Sequence, residues 1–326
     1  MKKILVIRFS SIGDIVLTSA VVRCLKEQLN CELHFITKSA YASFVKANQY
    51  VDKVYDFKQE ITEVIAELKN EQYDFIVDLH HNLRSTRLKR ALKRPSAAFP
   101  KLNRQKFLYT NFKMDVMPDI HIVDRYFKAV EQLGVKNDQK GLDFFIESQE
   151  QVNLSDFGVP AIYHAFCIGG QFATKQLPLD KMIELVTKSA TPIVLLGGPE
   201  DAAAAEAIQR AVPSCINLAG KLSIQQSASV IQQSGGVITH DTGMMHIAAA
   251  FKKPIASIWG NTTPKLGMYP YIPAYPDRYS MHEVDSLNCR PCSKIGHKKC
   301  PKGHFKCMNM QNIDTILQSL LRADNS

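Results

Sequence analysis

The sequence predicts an α/β protein of two nucleotide-binding-type domains, each a parallel sheet flanked by helices, with a cleft between them. Apolar runs of strand length alternate with helical patterns along the chain, and that alternation runs twice. Residues 136–160, KNDQKGLDFFIESQEQVNLSDFGVP, interrupt it and end in Gly158 and Pro160. A length of 326 residues also exceeds one ordinary domain. The boundary is expected near 150–158, giving domains 1–155 and 156–326.

In the first half, short apolar runs predict strands at 3–9, 32–37, 53–57, 74–79 and 96–99, with helices at 14–29 and 60–70. In the second half, strands are expected at 162–168, 192–197, 215–218, 235–239 and 254–259. Helices are expected near 178–189, 200–211, 223–233 and 243–251. The N-terminus, MKKILVIRFSSIGD, carries two lysines and a short apolar run but no small-residue cleavage site, so it is read as the first strand of a cytoplasmic protein. No run reaches the roughly 18 apolar residues that span a bilayer.

The net charge of +9 is concentrated in one segment. Between Asp78 and Asp115 there are ten basic residues and no acidic one, so the rest of the chain sums to about −1. Such a cluster suits an anionic partner, although a solvated helix face explains it equally well. The segment lacks a recognisable nucleic-acid-binding signature, and no nucleic-acid partner is expected.

Four strand-end turns carry the chemistry. In ILVIRFSSIGDIVL a strand runs through Ser10, Ser11 and Gly13 into a helix, and Asp14 stands where a phosphate loop usually offers backbone N–H groups. By spacing alone, Asp14 is either a helix N-cap or a general base. In THDTGMMH, Asp241, Thr242 and Gly243 open a helix carrying His246. This is either a local cap or a diphosphate turn at the carboxyl end of a strand. GGQFATKQLP presents Thr174 and Lys175, a hydroxyl and a cation suited to phosphate. LLGGPED presents Glu200 and Asp201, carboxylates suited to ribose hydroxyls or to the helix N-terminus itself.

IRFSSIGD, DLHHNLRS at 78–85, TKQLP at 174–178, LLGGPED and THDTGMMHIAAAFKKPIASIWGNTTP at 239–264 together resemble the family-9 glycosyltransferases, the ADP-heptose:lipopolysaccharide heptosyltransferases. The likeness runs in order over nearly the whole chain. It implies a GT-B fold of two Rossmann-like domains, with the acceptor bound by the first and the nucleotide sugar by the second. It further implies an inverting reaction that needs no metal or other cofactor. On this resemblance the catalytic base is Asp14, and the donor diphosphate loop is Asp241, Thr242, Gly243 and His246. Lys175 is the phosphate-contacting lysine, and Ser10 and Ser11 lie near the donor. One departure is that the loop before Lys175 retains only Thr174 of a segment richer in threonine and charge. Beside a diphosphate, Asp14 is expected to have its basicity raised. Arg84, Arg87 and Arg90 are expected to bind the phosphates and acidic sugars of a lipopolysaccharide core or lipid A-type acceptor and to hold the enzyme peripherally on the anionic inner-membrane surface.

Cys289, Cys292, Cys300 and Cys307 crowd the segment 289–307 in the spacing C-x2-C-x7-C-x6-C, with His297 and His304 among them. In a cytosolic chain this suits a structural zinc site, with paired redox-sensitive thiols or a merely packed loop as alternatives. Cys24, Cys31, Cys167 and Cys215 read as small core residues. Two other functions remain: a GT-B transferase using another nucleotide sugar, and a zinc or nucleic-acid binding protein. A nicotinamide-dependent dehydrogenase would need G-x-G-x-x-G, and Gly13 stands alone.

Overall fold

The computed structural model describes residues 1–323. It contains two compact units, residues 1–101 with 120–145, and residues 102–119 with 146–323.

The first unit holds β1 (Lys2–Ile7), α1 (Ile12–Gln28), β2 (Cys31–Lys38), α2 (Ala42–Lys46), β3 (Lys53–Phe57), α3 (Ile65–Asn70), β4 (Phe75–Asp78), α4 (Leu83–Leu92) and β5 (Ser96–Ala98). Its sheet has the order β3-β2-β1-β4-β5, and every pairing is parallel. Ile4 to Ile7 in β1 are fully buried because helices cover both faces of a parallel sheet. The chain then enters the second unit with α5 (Asn103–Phe112) and returns to the first with α6 (Ile122–Phe127). Buried Arg23 of α1 ties the segment after α6 back to the unit by binding Asp138, Asp143 and the Gly141 carbonyl.

The second unit continues with β6 (His164–Cys167), α7 (Leu179–Lys188), β7 (Ile193–Leu196), α8 (Ala202–Ala211), β8 (Ile216–Asn217), α9 (Ile224–Gln233), β9 (Gly236–His240), α10 (Gly243–Ala250), β10 (Ile255–Ile258), β11 (Tyr279–His282), α11 (Lys306–Asn309) and α12 (Ile313–Ala323). The sheet order is β11-β10-β9-β6-β7-β8, again with parallel pairings throughout. In both sheets the strand order reverses beside the first strand: between β1 and β4, and between β6 and β9. Ligands of open α/β sheets bind outside the carboxyl ends of the strands at such a reversal.

The ten strands expected from sequence are all present, each within two residues at its ends. The domain boundary differs. Segment 146–155, expected in the first domain, packs with the second unit because the Glu147 and Val152 N–H groups donate to Gln225 and Ser229 of α9 at 2.8 and 3.0 Å. Among the described residues no helix is long and apolar enough to cross a membrane.

Candidate functional site

In the first unit, the turn after β1 and the turn after β4 lie side by side, since Ile7 pairs with Asp78 and the Leu79 N–H donates to the Ile7 carbonyl. Arg8, 7% exposed, links them. Its Nη1 donates to the Leu79 carbonyl at 2.6 Å and to the Tyr126 hydroxyl at 3.2 Å, and its Nε donates to the Ser10 carbonyl at 2.8 Å. Its Nη2 lies 2.6 Å from Asp14 Oδ1. The other carboxylate oxygen of Asp14 accepts from the Ser11 amide and hydroxyl at 3.3 and 3.0 Å. Asp14 is therefore not the N-cap of α1. It sits in the first turn, reaches back to Ser11 with one oxygen and offers the other to a buried cation.

This arrangement corrects the expected basicity of Asp14. Burial pushes its carboxyl pKa up, but Arg8 and the Ser11 hydrogen bonds outweigh burial and hold it below the ordinary carboxylate range. The side chain is 22% exposed, so it is reachable and ionised at neutral pH.

Buried Asp78 organises the second turn. It accepts from the His80 and His81 amides and the Ser85 hydroxyl, and lies 2.8 Å from Lys89 Nζ. The DLHHNLRS motif is thus an anchored turn that starts α4, capped by Asn82. Arg84 packs over the Phe57 ring, while Arg87 and Arg90 of α4 are exposed.

In the second unit, the turns after β6 and β9 converge. Lys175 Nζ lies 2.7 Å from Asp241 Oδ2 and 3.1 Å from the Asp241 carbonyl, and Thr262 Oγ1 donates to the same carboxylate at 2.8 Å. The Asp241 carboxylate holds Lys175 and Thr262, and no side chain caps α10 at its N-cap residue, Thr242. The local-cap explanation for Asp-Thr-Gly accordingly fails. A helix N-terminus and a lysine stand together at the strand-order reversal, a combination that attracts anions.

Family membership follows from comparison with known proteins. The family model for glycosyltransferase family 9 (heptosyltransferase) matches residues 61–302, about three quarters of the chain. The chain belongs to glycosyltransferase family 9. It is 32% identical over 122 residues to the lipooligosaccharide heptosyltransferase 2 of Haemophilus influenzae, a match covering 35% of this chain and 34% of that one. Across this and two further curated heptosyltransferases 2, the chain spans 34%, 47% and 32% of the relative's length. A family-9 glycosyltransferase structure from Veillonella parvula superposes with a TM-score of 0.79 at 20% identity, covering 99% of this chain and 97% of that one. The E. coli heptosyltransferase WaaC with ADP gives 0.70 at 18% identity, covering 98% and 99%. The two parallel-sheet units are those of the GT-B fold, as expected.

Within this family-9 chain, three expected donor residues sit differently from the sequence reading. Thr174 is buried, and its hydroxyl exchanges hydrogen bonds with the His297 backbone at 2.9 and 2.8 Å, so it braces the loop instead of offering a free hydroxyl. His246 is 3% exposed and lies inside the unit. At the turn after β7, Asp201 is buried and accepts from the Gly198 amide at 2.9 Å, leaving Glu200 as the exposed carboxylate.

The four clustered cysteines are free thiols. Cys289 Sγ lies 3.8 Å from His304 Nε2, and Cys292 Sγ donates to the Cys289 carbonyl at 3.0 Å. Burial pushes the Cys292 and Cys307 thiols up to about 11. Among the described residues, these side chains do not bring three ligand atoms within 4.8 Å of one another. The set that does, Glu32, His34 and Glu71, is occupied by Lys3, Lys53, Tyr55 and Tyr73. What holds the cysteine loop is Arg290, which donates to the Gly260, Val284 and Thr262 carbonyls and pairs with Glu283.

Sequence reasoning missed Arg8, Thr262 and Arg290. An arginine directly after an apolar strand was the available signal for Arg8. Thr262 and Arg290 act over separations that no local pattern reveals.

Proposed function

We propose that this chain is an inverting heptosyltransferase that moves a heptose from ADP-heptose to a lipid-borne lipopolysaccharide inner-core acceptor. The observation that carries the donor half is the uncapped N-terminus of α10 beside the Lys175–Asp241 pair. A nucleoside diphosphate leaving group needs its developing charge stabilised there, and Lys175 with the helix amides supplies positive charge without a metal. The names of the relatives and the ADP bound to one neighbour favour ADP-heptose as the donor.

Asp14 serves as the general base. It takes the proton of the acceptor hydroxyl while that oxygen attacks the anomeric carbon, and the bond to the diphosphate breaks on the opposite face, its electron pair leaving with ADP. Arg87 and Arg90, exposed on α4, with Arg84 beside them, bind the acidic sugars and phosphates of the acceptor. The enzyme works at the anionic cytoplasmic face of the inner membrane.

A thermal-shift and calorimetric titration with ADP, UDP, GDP and NAD tests the donor, repeated with Asp241→Ala. Stabilisation by ADP alone, lost in the variant, is expected. Preference for UDP or GDP would move the chemistry to another nucleotide sugar. Asp14→Asn should abolish transfer while leaving ADP binding intact, and equal loss of both would make Asp14 structural.

A further inference from the structure

Helix α5 and the segment that follows present apolar side chains outward. None of the ten residues of α5 is buried. Phe107 and Phe112 are 57% and 61% exposed, and their rings meet edge-on at 5.8 Å. The chain then turns back, with the Met114 N–H donating to the Leu108 carbonyl, and Met114 and Val116 are exposed as well. Of the fifteen large apolar side chains exposed among the described residues, these four fall within ten consecutive positions, so this is a patch and not a scatter.

The opposite face of the helix is fixed. Tyr109, two residues on from Phe107, is partly buried beside Thr263 and Lys265. Lys113 Nζ donates to the Pro291 carbonyl at 2.6 Å, and Lys265 pairs with Asp115. The same stretch carries Arg104, Lys106 and Lys113; up to Met114 it lies in the run without an acidic residue between Asp78 and Asp115, and of the two carboxylates that follow, Asp115 and Asp119, the first is held by Lys265. Exposed aromatic and thioether side chains interleaved with cations match the boundary between headgroups and acyl chains of an anionic bilayer. Lysine and arginine stems lie along apolar surface while their heads reach phosphate.

We propose that α5 and residues 113–119 form a membrane-docking surface, inserting Phe107, Phe112 and Met114 into an anionic bilayer with Arg104 and Lys106 on its phosphates. This deepens the proposed function by naming the surface that meets the membrane carrying the acceptor, and it is tested without any transfer reaction. Trp259 is the sole tryptophan and is buried, so Phe112→Trp adds a reporter at the patch. With vesicles of phosphatidylglycerol and phosphatidylcholine, its emission should shift to the blue and be quenched by brominated acyl chains. Flotation should show binding to these vesicles, weaker to phosphatidylcholine alone and weaker at high salt. Phe107→Ser with Phe112→Ser should lower the affinity at least about tenfold while leaving the ADP-induced thermal shift unchanged. That retained shift separates this surface from the donor site, because loss of ADP binding in the wild type would refute only the transferase proposal. Absence of wild-type binding to anionic vesicles, or full binding by the double variant, would overturn the docking surface. So would a wild-type dimer that the double substitution splits, without vesicle binding, since the patch would then belong to a second copy of the chain.

Discussion

Replacing Arg8 by methionine removes the charge that holds Asp14 ionised while keeping much of the buried volume. Arg8 is 7% exposed and makes four polar contacts, to Asp14, Leu79, Ser10 and Tyr126. Breaking a buried ion pair from one side costs about 3–5 kcal/mol. Because Asp14 is 22% exposed and water can partly replace Arg8, the lower end, about 3 kcal/mol, is expected. At roughly 2–4 °C per kcal/mol for a domain of this size, the melting temperature at pH 7 should fall by about 6–12 °C. The sign with pH follows from the depressed folded pKa of Asp14. Its paired, ionised form stabilises the fold above the unfolded carboxylate value, about 3.9, and this is lost as pH falls through the lower folded value. The gap between wild type and Arg8→Met should therefore close below about pH 4. In the variant, burial acts on Asp14 without its counter-charge, so the acid limb of kcat/KM should move to higher pH. Arg8→Lys, which keeps the charge, should leave that limb near the wild-type position even if it costs stability. Thermal melts and pH–rate profiles of the three proteins decide the matter. An acid limb that stays put in Arg8→Met would refute Asp14 as the base tuned by Arg8.

Lys175→Met should weaken ADP binding by about tenfold or more in calorimetry, since a charged contact to the diphosphate is worth about 1.5–3 kcal/mol; unchanged affinity would place the diphosphate elsewhere. Gly260→Ala should destabilise the protein and weaken ADP binding, because the added Cβ would meet the Thr174 carbonyl oxygen at 2.4 Å and displace the turn that carries Lys175. A variant as stable and as tight as wild type would show that this turn has slack. Because Cys289, Cys292, Cys300 and Cys307 do not bring three ligand atoms together, elemental analysis should find no stoichiometric zinc, and Cys289→Ser with Cys292→Ser should leave the melting temperature nearly unchanged; one zinc per chain, lost with stability in the variant, would overturn this. A stable, metal-free protein would leave Arg290 as the clamp of that loop.

The two sheets were legible because a buried parallel strand is a continuous apolar run, as Ile4–Ile7 and Ile193–Leu196 are. Their order could not be read locally, since it depends on which runs pair, yet that order places Asp14 and Lys175 at the reversals. Two of the missed elements fail for a nameable reason. The edge strand β11, Tyr279–His282, and α5 have no fully buried residue, so neither writes a strong apolar pattern into the sequence. At the site, residue types were legible but partners were not. Asp14 stood out as a carboxylate in a phosphate-type turn, whereas the direction of its pKa depends on Arg8 folding back from the other side of Ser10. Thr174 illustrates the converse. A threonine before a lysine reads as a phosphate ligand until a backbone 123 residues away satisfies its hydroxyl.

His240 extends the same logic to acid pH. It is fully buried, and its Nε2 accepts from the Leu177 amide at 3.0 Å, which leaves the proton on Nδ1, directed at the Gly169 carbonyl 3.4 Å away. The neutral ring thus joins the two ends of the loop that carries Lys175. Protonating Nε2 would set a cation against an N–H donor in a dry site, and burial pushes the pKa down to about 4. Because the folded value is depressed, the unfolded chain takes up the proton first. Stability is then complete above about pH 6.5 and declines as pH falls toward 4, by about 3 kcal/mol in all. Over that window the melting temperature of wild type should drop by about 6–12 °C more than that of His240→Gln, whose amide oxygen can accept the Leu177 N–H without titrating. ADP affinity of the wild type should fall in the same window, since opening the Gly169–Leu177 loop displaces Lys175. Equal pH slopes in the two proteins would mean that His240 does not carry the acid sensitivity of the donor site.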